Sequence, residues 1–210
     1  MARRTERQAQ QTKADIIKAA RQCFVEEGYE ASLSKIVGLA GTSKGALFHH
    51  FKNKKALFRE VWTELNTRMN HEAQQAAKAA RSETDPYAAF LAGCRTYLQW
   101  VTREDYQKIV LIDGPAVLGP ITWHESGYTL GQYSIRIGLE YLAGQRLLEP
   151  AQVPVLTVLL HSALDGAGFV LSRKDPDVTP ESLLSAFESL LRGLAHEISS
   201  GDPHAPELTD

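Results

Sequence analysis

The chain has 210 residues, of which 43% are hydrophobic and 23% charged, values of a globular protein with a sizeable core and not of a disordered or low-complexity chain. Its two cysteines, Cys23 and Cys94, are too few and too far apart for a disulfide framework or a zinc site. The net charge of −2 hides a split: residues 1–60 hold 12 Lys/Arg and 6 Asp/Glu, a net of +6, and residues 61–210 carry a net of −8, the pattern of a basic nucleic-acid-binding portion joined to an acidic body.

The N-terminal stretch Ala2-Arg3-Arg4-Thr5-Glu6-Arg7 is basic but lacks the apolar segment of a signal peptide. Arg3, Arg4 and Arg7 are candidates for sequence-independent contacts with a nucleic-acid backbone. Apolar spacing predicts a first helix over 10–27, with Ile16, Ile17, Ala20 and Phe24 inward and Gly28 just past its end. Two short helical segments follow. Leu33, Ile36 and Ala40 share a face of the first, and Leu47 and Phe51 a face of the second. They join at Ala40-Gly41-Thr42, with Ser32 or Ser34 capping the first and Thr42 or Ser43 the second. Two short helices about a tight glycine-bearing turn form a helix-turn-helix, which lays its second helix in the DNA major groove.

The run Ser43-Lys44-Gly45-Ala46-Leu47-Phe48-His49-His50-Phe51, with Gly28-Tyr29 upstream and Lys54 and Leu57 downstream, resembles the signature of the tetracycline-repressor (TetR) family of bacterial transcription regulators. The resemblance covers residues 13–60. Family members usually carry Tyr at the position of Phe48, with its hydroxyl on a phosphate; Phe48 keeps the packing without that hydrogen bond. The run from Gly28 to Ile36 is also one residue shorter than the family's usual length. The expected DNA-facing residues are Ser32, Thr42, Ser43, Lys44, Gly45, Leu47, Phe48, His49 and His50, with an inward turn of Leu47 left open and Lys54 at the start of the next helix. Lys44 suits a phosphate or a guanine edge, and Gly45 lets backbone approach the duplex. Adjacent His49 and His50 diverge by about 100° on a helix, so no metal is expected there.

Asn53 is positioned to cap a fourth helix with Leu57, Phe58, Val61, Trp62, Leu65 and Met69 on its apolar face, running towards Ala80. Asp85 and Pro86 open a fifth, striped by Tyr87, Phe90, Leu91, Cys94, Leu98 and Val101. Residues 105–120 read as short helical pieces, broken at Asp113-Gly114-Pro115 and Gly119-Pro120. A helix over 127–142 follows. Pro154 starts another, apolar almost all round from Val155 to Leu171 and so expected to be buried. Pro180 starts the last, with leucines at 3/4 spacing to Ile198. No uninterrupted apolar run approaches the roughly 20 residues that span a bilayer, and a cytoplasmic location is expected.

The expected fold is all-α: a three-helix DNA-binding head over residues 1–55, its helix-turn-helix core at 32–51, and a helical effector-binding and dimerisation body over 56–210. The helices near 154–172 and 180–199 correspond to those through which the family dimerises. Double-stranded DNA with a pseudo-palindromic operator, a second copy of the chain and a small organic effector are the expected partners. Aromatics are dense mid-chain, and an effector cavity is expected among Phe90, Tyr97, Trp100, Tyr106, Asp113, Trp123, Tyr128, Tyr133, His161, Asp165 and Phe169. His161 and Asp165, at i and i+4, are open to pairing with each other, reaching across the dimer interface or touching a ligand, with pairing across buried helices the expected outcome. An enzyme using His161, Ser162 and Asp165 is the weakest reading, because one helix cannot place a triad independently. No phosphate-binding loop or nucleophile elbow is present, and neither catalytic residues nor a cofactor are expected. A constitutive DNA binder with a filled body is the alternative.

Overall fold

The computed structural model describes residues 2–173 and 177–199, with side chains described over 6–119, 121–123, 131–173 and 177–194. Among the described residues there are ten α-helices and no strand: α1 Ala2–Glu27, α2 Leu33–Leu39, α3 Lys44–His50, α4 Lys54–Ala79, α5 Ala88–Trp100, α6 Glu104–Tyr106, α7 Gly114–Leu118, α8 Pro120–Gly144, α9 Val153–Ser172 and α10 Pro180–Ser199. They fall into two compact units. One comprises Met1–His71 and Trp100–Leu130, the other Glu72–Gln99 and Gly131–Asp210. The unit that carries the helix-turn-helix thus runs beyond residue 55 and takes in a later stretch of chain.

In the first unit, Ile16, Ala20, Cys23 and Phe24 of α1 close over Ile36, Leu47, Leu57 and Phe58, all fully buried. Phe24, Tyr29 and Phe58 form an aromatic cluster with ring centroids 5.2 to 6.3 Å apart. α1 ends at Glu27, and Gly28 takes φ +67, a conformation that an L side chain avoids. A Cβ added there would lie 3.2 Å from Asp113 Oδ2 and 3.4 Å from Lys108 Nζ. These two side chains belong to a π-helical run, Gln107–Asp113, set between α6 and α7. The short helical pieces expected over 105–120 are present as α6, the π-helical run and α7, changing type at Asp113-Gly114 and breaking at Gly119, φ +91. Trp62 lies against Gly114, and the Trp123 indole donates to the Val110 carbonyl at 2.8 Å.

In the second unit, α8 and α9 approach where α8 has no side chain: a Cβ on Gly131 would lie 2.6 Å from His161 Nε2. At Gly138 an added Cβ would run into the Phe90 ring of α5, and Phe90 stacks on Phe187 of α10. Arg192 of α10 reaches Asp85 at 3.2 Å and lies over the Tyr87 ring, tying α10 to the start of α5.

α9 departs from expectation. It buries Val153, Leu156, Thr157, Leu160, His161, Leu164, Gly168 and Leu171, a 3/4 stripe on one side. Val155, Val158, Leu159, Phe169 and Val170 are exposed, because among the described residues nothing packs on the opposite side. Pro150–Ser172 also has the length and composition of a membrane-crossing helix, with mean hydropathy 1.6. The periodic burial, with Thr157 donating to the Val153 carbonyl at 2.7 Å, matches a helix packed on protein along one face.

Candidate nucleic-acid interface

The turn between α2 and α3 is set by local chemistry. Ser32 Oγ caps α2 by accepting from the Lys35 amide at 3.1 Å. At the other end Gly41 takes φ +62, its amide donates to Gly38 O at 3.2 Å, and the Thr42 amide donates to Val37 O at 3.0 Å. These paired bonds are a Schellman ending, which reverses the chain within three residues. Ser43 then caps α3, its Oγ accepting from the Ala46 amide at 3.1 Å. Lys35 ties the pair to α1 through ion pairs with Glu26 and Glu27, and these hold the ammonium well above its usual range while drawing the Glu26 carboxyl down.

α3 has two clearly different sides. Lys44, Gly45, Phe48 and His49 are exposed together, and Phe48 keeps half of its surface in water. Leu47 is fully buried and belongs to the core, which corrects its place among the DNA-facing residues; at 3/4 spacing it shares the inward side with Phe51. His50 is half-buried on that same side, its ring 5.2 Å from His49 and 6.3 Å from Phe51. Asn53 caps α4, its Oδ1 accepting from the Ala56 amide at 2.8 Å. Lys54 Nζ stands 4.7 Å from the centroid of Tyr29, a cation–π contact that sequence reading did not foresee. Also unforeseen is a cleft of about 340 Å³ along α1 and α4, lined by Lys13, Lys18, Arg21 and Glu64 among others. Helical spacing alone, with Lys13, Ala14, Ile17, Lys18 and Arg21 on one side of α1, carried that signal.

The expected effector residues divide between the two units. Trp100 and Tyr106, each 2% exposed, fill the core of the first, where their rings meet at 5.7 Å. The Tyr106 hydroxyl donates to Asn66 Oδ1 at 3.0 Å, and Arg103 covers Trp100 at 3.9 Å. Asp113 faces Lys108 and Gly28 there. The Tyr128 side chain lies outside the described residues. In the second unit Tyr97 donates to Asp165 Oδ1 at 3.4 Å, and His161 Nδ1 stands 3.4 Å from Asp165 Oδ2. His161 and Asp165 thus face each other along α9, one of the alternatives open in the sequence. Phe90 is buried, whereas Phe169 and especially Tyr133, 58% exposed, lie at the surface. Tyr133 therefore does not line an interior, since it heads an outward stripe on α8 with Ile137 and Tyr141. Ser162 faces solvent while His161 is buried, so the two do not converge as a nucleophile and base. Burial pushes the Cys94 thiol up to about 12, an inert core position.

Comparison with known proteins agrees with this geometry. The model of the bacterial regulatory proteins of the tetR family matches residues 16–61, and that of the tetracyclin repressor-like C-terminal domain matches residues 87–194. The HTH-type transcriptional regulator TtgR of Pseudomonas putida is 31% identical over 137 residues, which cover 65% of this chain and 60%, under two thirds, of that relative. The HTH-type transcriptional repressor AcnR of Corynebacterium jeikeium is 26% identical over 193 residues, covering 88% of this chain and 94% of the relative. Among solved structures, a TetR-family transcriptional regulator of Pectobacterium atrosepticum superposes with a TM-score of 0.74 at 29% identity, covering 89% of this chain and 95% of that one.

Proposed function

The chain belongs to the tetracycline-repressor family of bacterial transcription regulators, and from that premise we propose that it is a homodimeric, operator-binding repressor acting in the cytoplasm and released by a small organic effector. The observation that carries this reading is the exposed side of α3, where Lys44, Gly45, Phe48 and His49 stand together above a fully buried Leu47. A capped helix of this kind presents side chains to base edges while its caps and Lys54 remain available to phosphates.

Two such helices are needed to meet two half-sites a helical turn apart. The outward sides of α9 and α10 supply the contact. Val155, Val158 and Leu159 are exposed on α9 and Leu190, at 65%, on α10. A Cβ on Gly166 or Gly193 would meet nothing within 4 Å, leaving room for close approach of another helix. Release follows if an effector prefers the conformation whose reading helices no longer match the operator, which takes about 1–3 kcal/mol of differential affinity. Tyr97, His161 and Asp165 are the polar group that would orient it. The fully packed Trp100 and Tyr106 favour a second reading, a constitutive DNA binder.

Selection of genomic fragments by the purified protein at about 150 mM salt, which screens non-specific phosphate binding, tests the reading. An enriched pseudo-palindrome is expected. Failure to enrich any sequence overturns it.

A further inference from the structure

Phe48 is the only aromatic carbon ring on the exposed side of α3, and half of it is in contact with water. A large apolar side chain is held out on a short helix whose inward side already has Leu47 and Phe51, so core packing does not require it. Gly45 lies three residues earlier on the same exposed side. Nothing inside the chain demands a glycine there: an added Cβ would meet only Ser43 Oγ, at 3.7 Å, and the backbone is helical. Phe48 and Gly45 thus share the exposed side of α3 with Lys44 and His49.

The major-groove edges of the four base pairs offer hydrogen-bond donors and acceptors and one apolar group, the C5-methyl of thymine. Phe48 has neither donor nor acceptor. We propose that the exposed Phe48 ring reads a thymine methyl, so that each operator half-site carries a required T·A pair at the position beneath α3. Lys44 and His49 then read or anchor the neighbouring positions. This rests on the reading of α3 as the DNA-contacting helix, and it adds to that reading the identity of one base.

Replacing thymine by deoxyuridine removes the methyl and leaves every hydrogen-bonding group in place. The test takes the selected operator, substitutes deoxyuridine at each thymine in turn, and titrates it by fluorescence anisotropy with the full chain and with Phe48→Ala and Phe48→Leu. One position per half-site is expected to weaken binding about fourfold, and about sixteenfold when changed in both halves, the factors for losing one and two buried methyl contacts. Phe48→Ala is expected to bind more weakly and to ignore that substitution, and Phe48→Leu to retain part of the sensitivity. Lower salt brings a weak variant into the titration range, because phosphate contacts strengthen every complex equally. An operator indifferent to all deoxyuridine substitutions overturns the inference, as does a Phe48→Ala protein that loses the same factor as the parent chain. A chain that selects no DNA sequence overturns the underlying role of α3 and the inference with it.

Discussion

At Gly28 two constraints coincide. The backbone takes φ +67, and the space where a Cβ would stand is bounded by the Asp113 carboxylate and the Lys108 ammonium. Gly28→Ala is expected to destabilise the chain by about 1–2 kcal/mol from the left-handed backbone alone. It should appear as a lower urea midpoint with an unchanged slope; an unchanged midpoint would mean that the turn relaxes freely. The sequence signals this glycine as a helix ending, since it follows an apolar-periodic run. Nothing in the sequence signals Lys108 and Asp113 as its neighbours, because that contact joins residues some eighty positions apart. Leu47 shows the converse. Its 3/4 spacing with Phe51 is a core signal legible in the sequence, and it outweighs the motif that placed Leu47 among DNA contacts.

α3 is seven residues long, far below the length at which a helix holds itself together in water. Its stability comes from Leu47 and Phe51 beneath it and from Ser43 at its start. Ser43→Ala removes the cap at a cost of about 1 kcal/mol. Operator affinity is expected to fall several-fold while the global unfolding midpoint moves little, measured by anisotropy beside thermal melting. Equal affinity would show that packing alone fixes α3. The elements most legible in the sequence are those whose boundaries are chemically local: Ser32, Ser43 and Asn53 as caps, and Gly41 as the turn. Other boundaries are not legible there. α1 extends back to Ala2 through polar residues without apolar period, and α8 starts at Pro120, where Gly119-Pro120 reads as a break although proline also suits a first helical turn. The π-helical register of Gln107–Asp113 is set by what it packs against, Gly28 included, and leaves no local signature.

For the whole molecule, sequence periodicity conveys the all-α class and the apolar character of α9 but not which half of α9 this chain covers by itself. The assignment of Trp100, Tyr106 and Asp113 to one compact unit and of Tyr97, His161 and Asp165 to the other is likewise tertiary, since neighbouring stretches of α5 contribute to both. Leu159, 58% exposed, tests the proposed pairing. Leu159→Glu is expected to leave the protomer folded, to turn the dimer into monomer by sedimentation, and to weaken binding to a palindrome by more than tenfold. A dimer with full affinity would send the contact elsewhere. If the outward face of α9 forms the proposed dimer, it also governs how the regulator responds to its own abundance. Where protomers outnumber dimers, the assembled reader varies with the square of the protomer concentration, by mass action. Each twofold dilution of the protein by cell growth would then leave about a quarter of the concentration of assembled readers, so that synthesis rate, besides any effector, sets when the regulated genes escape.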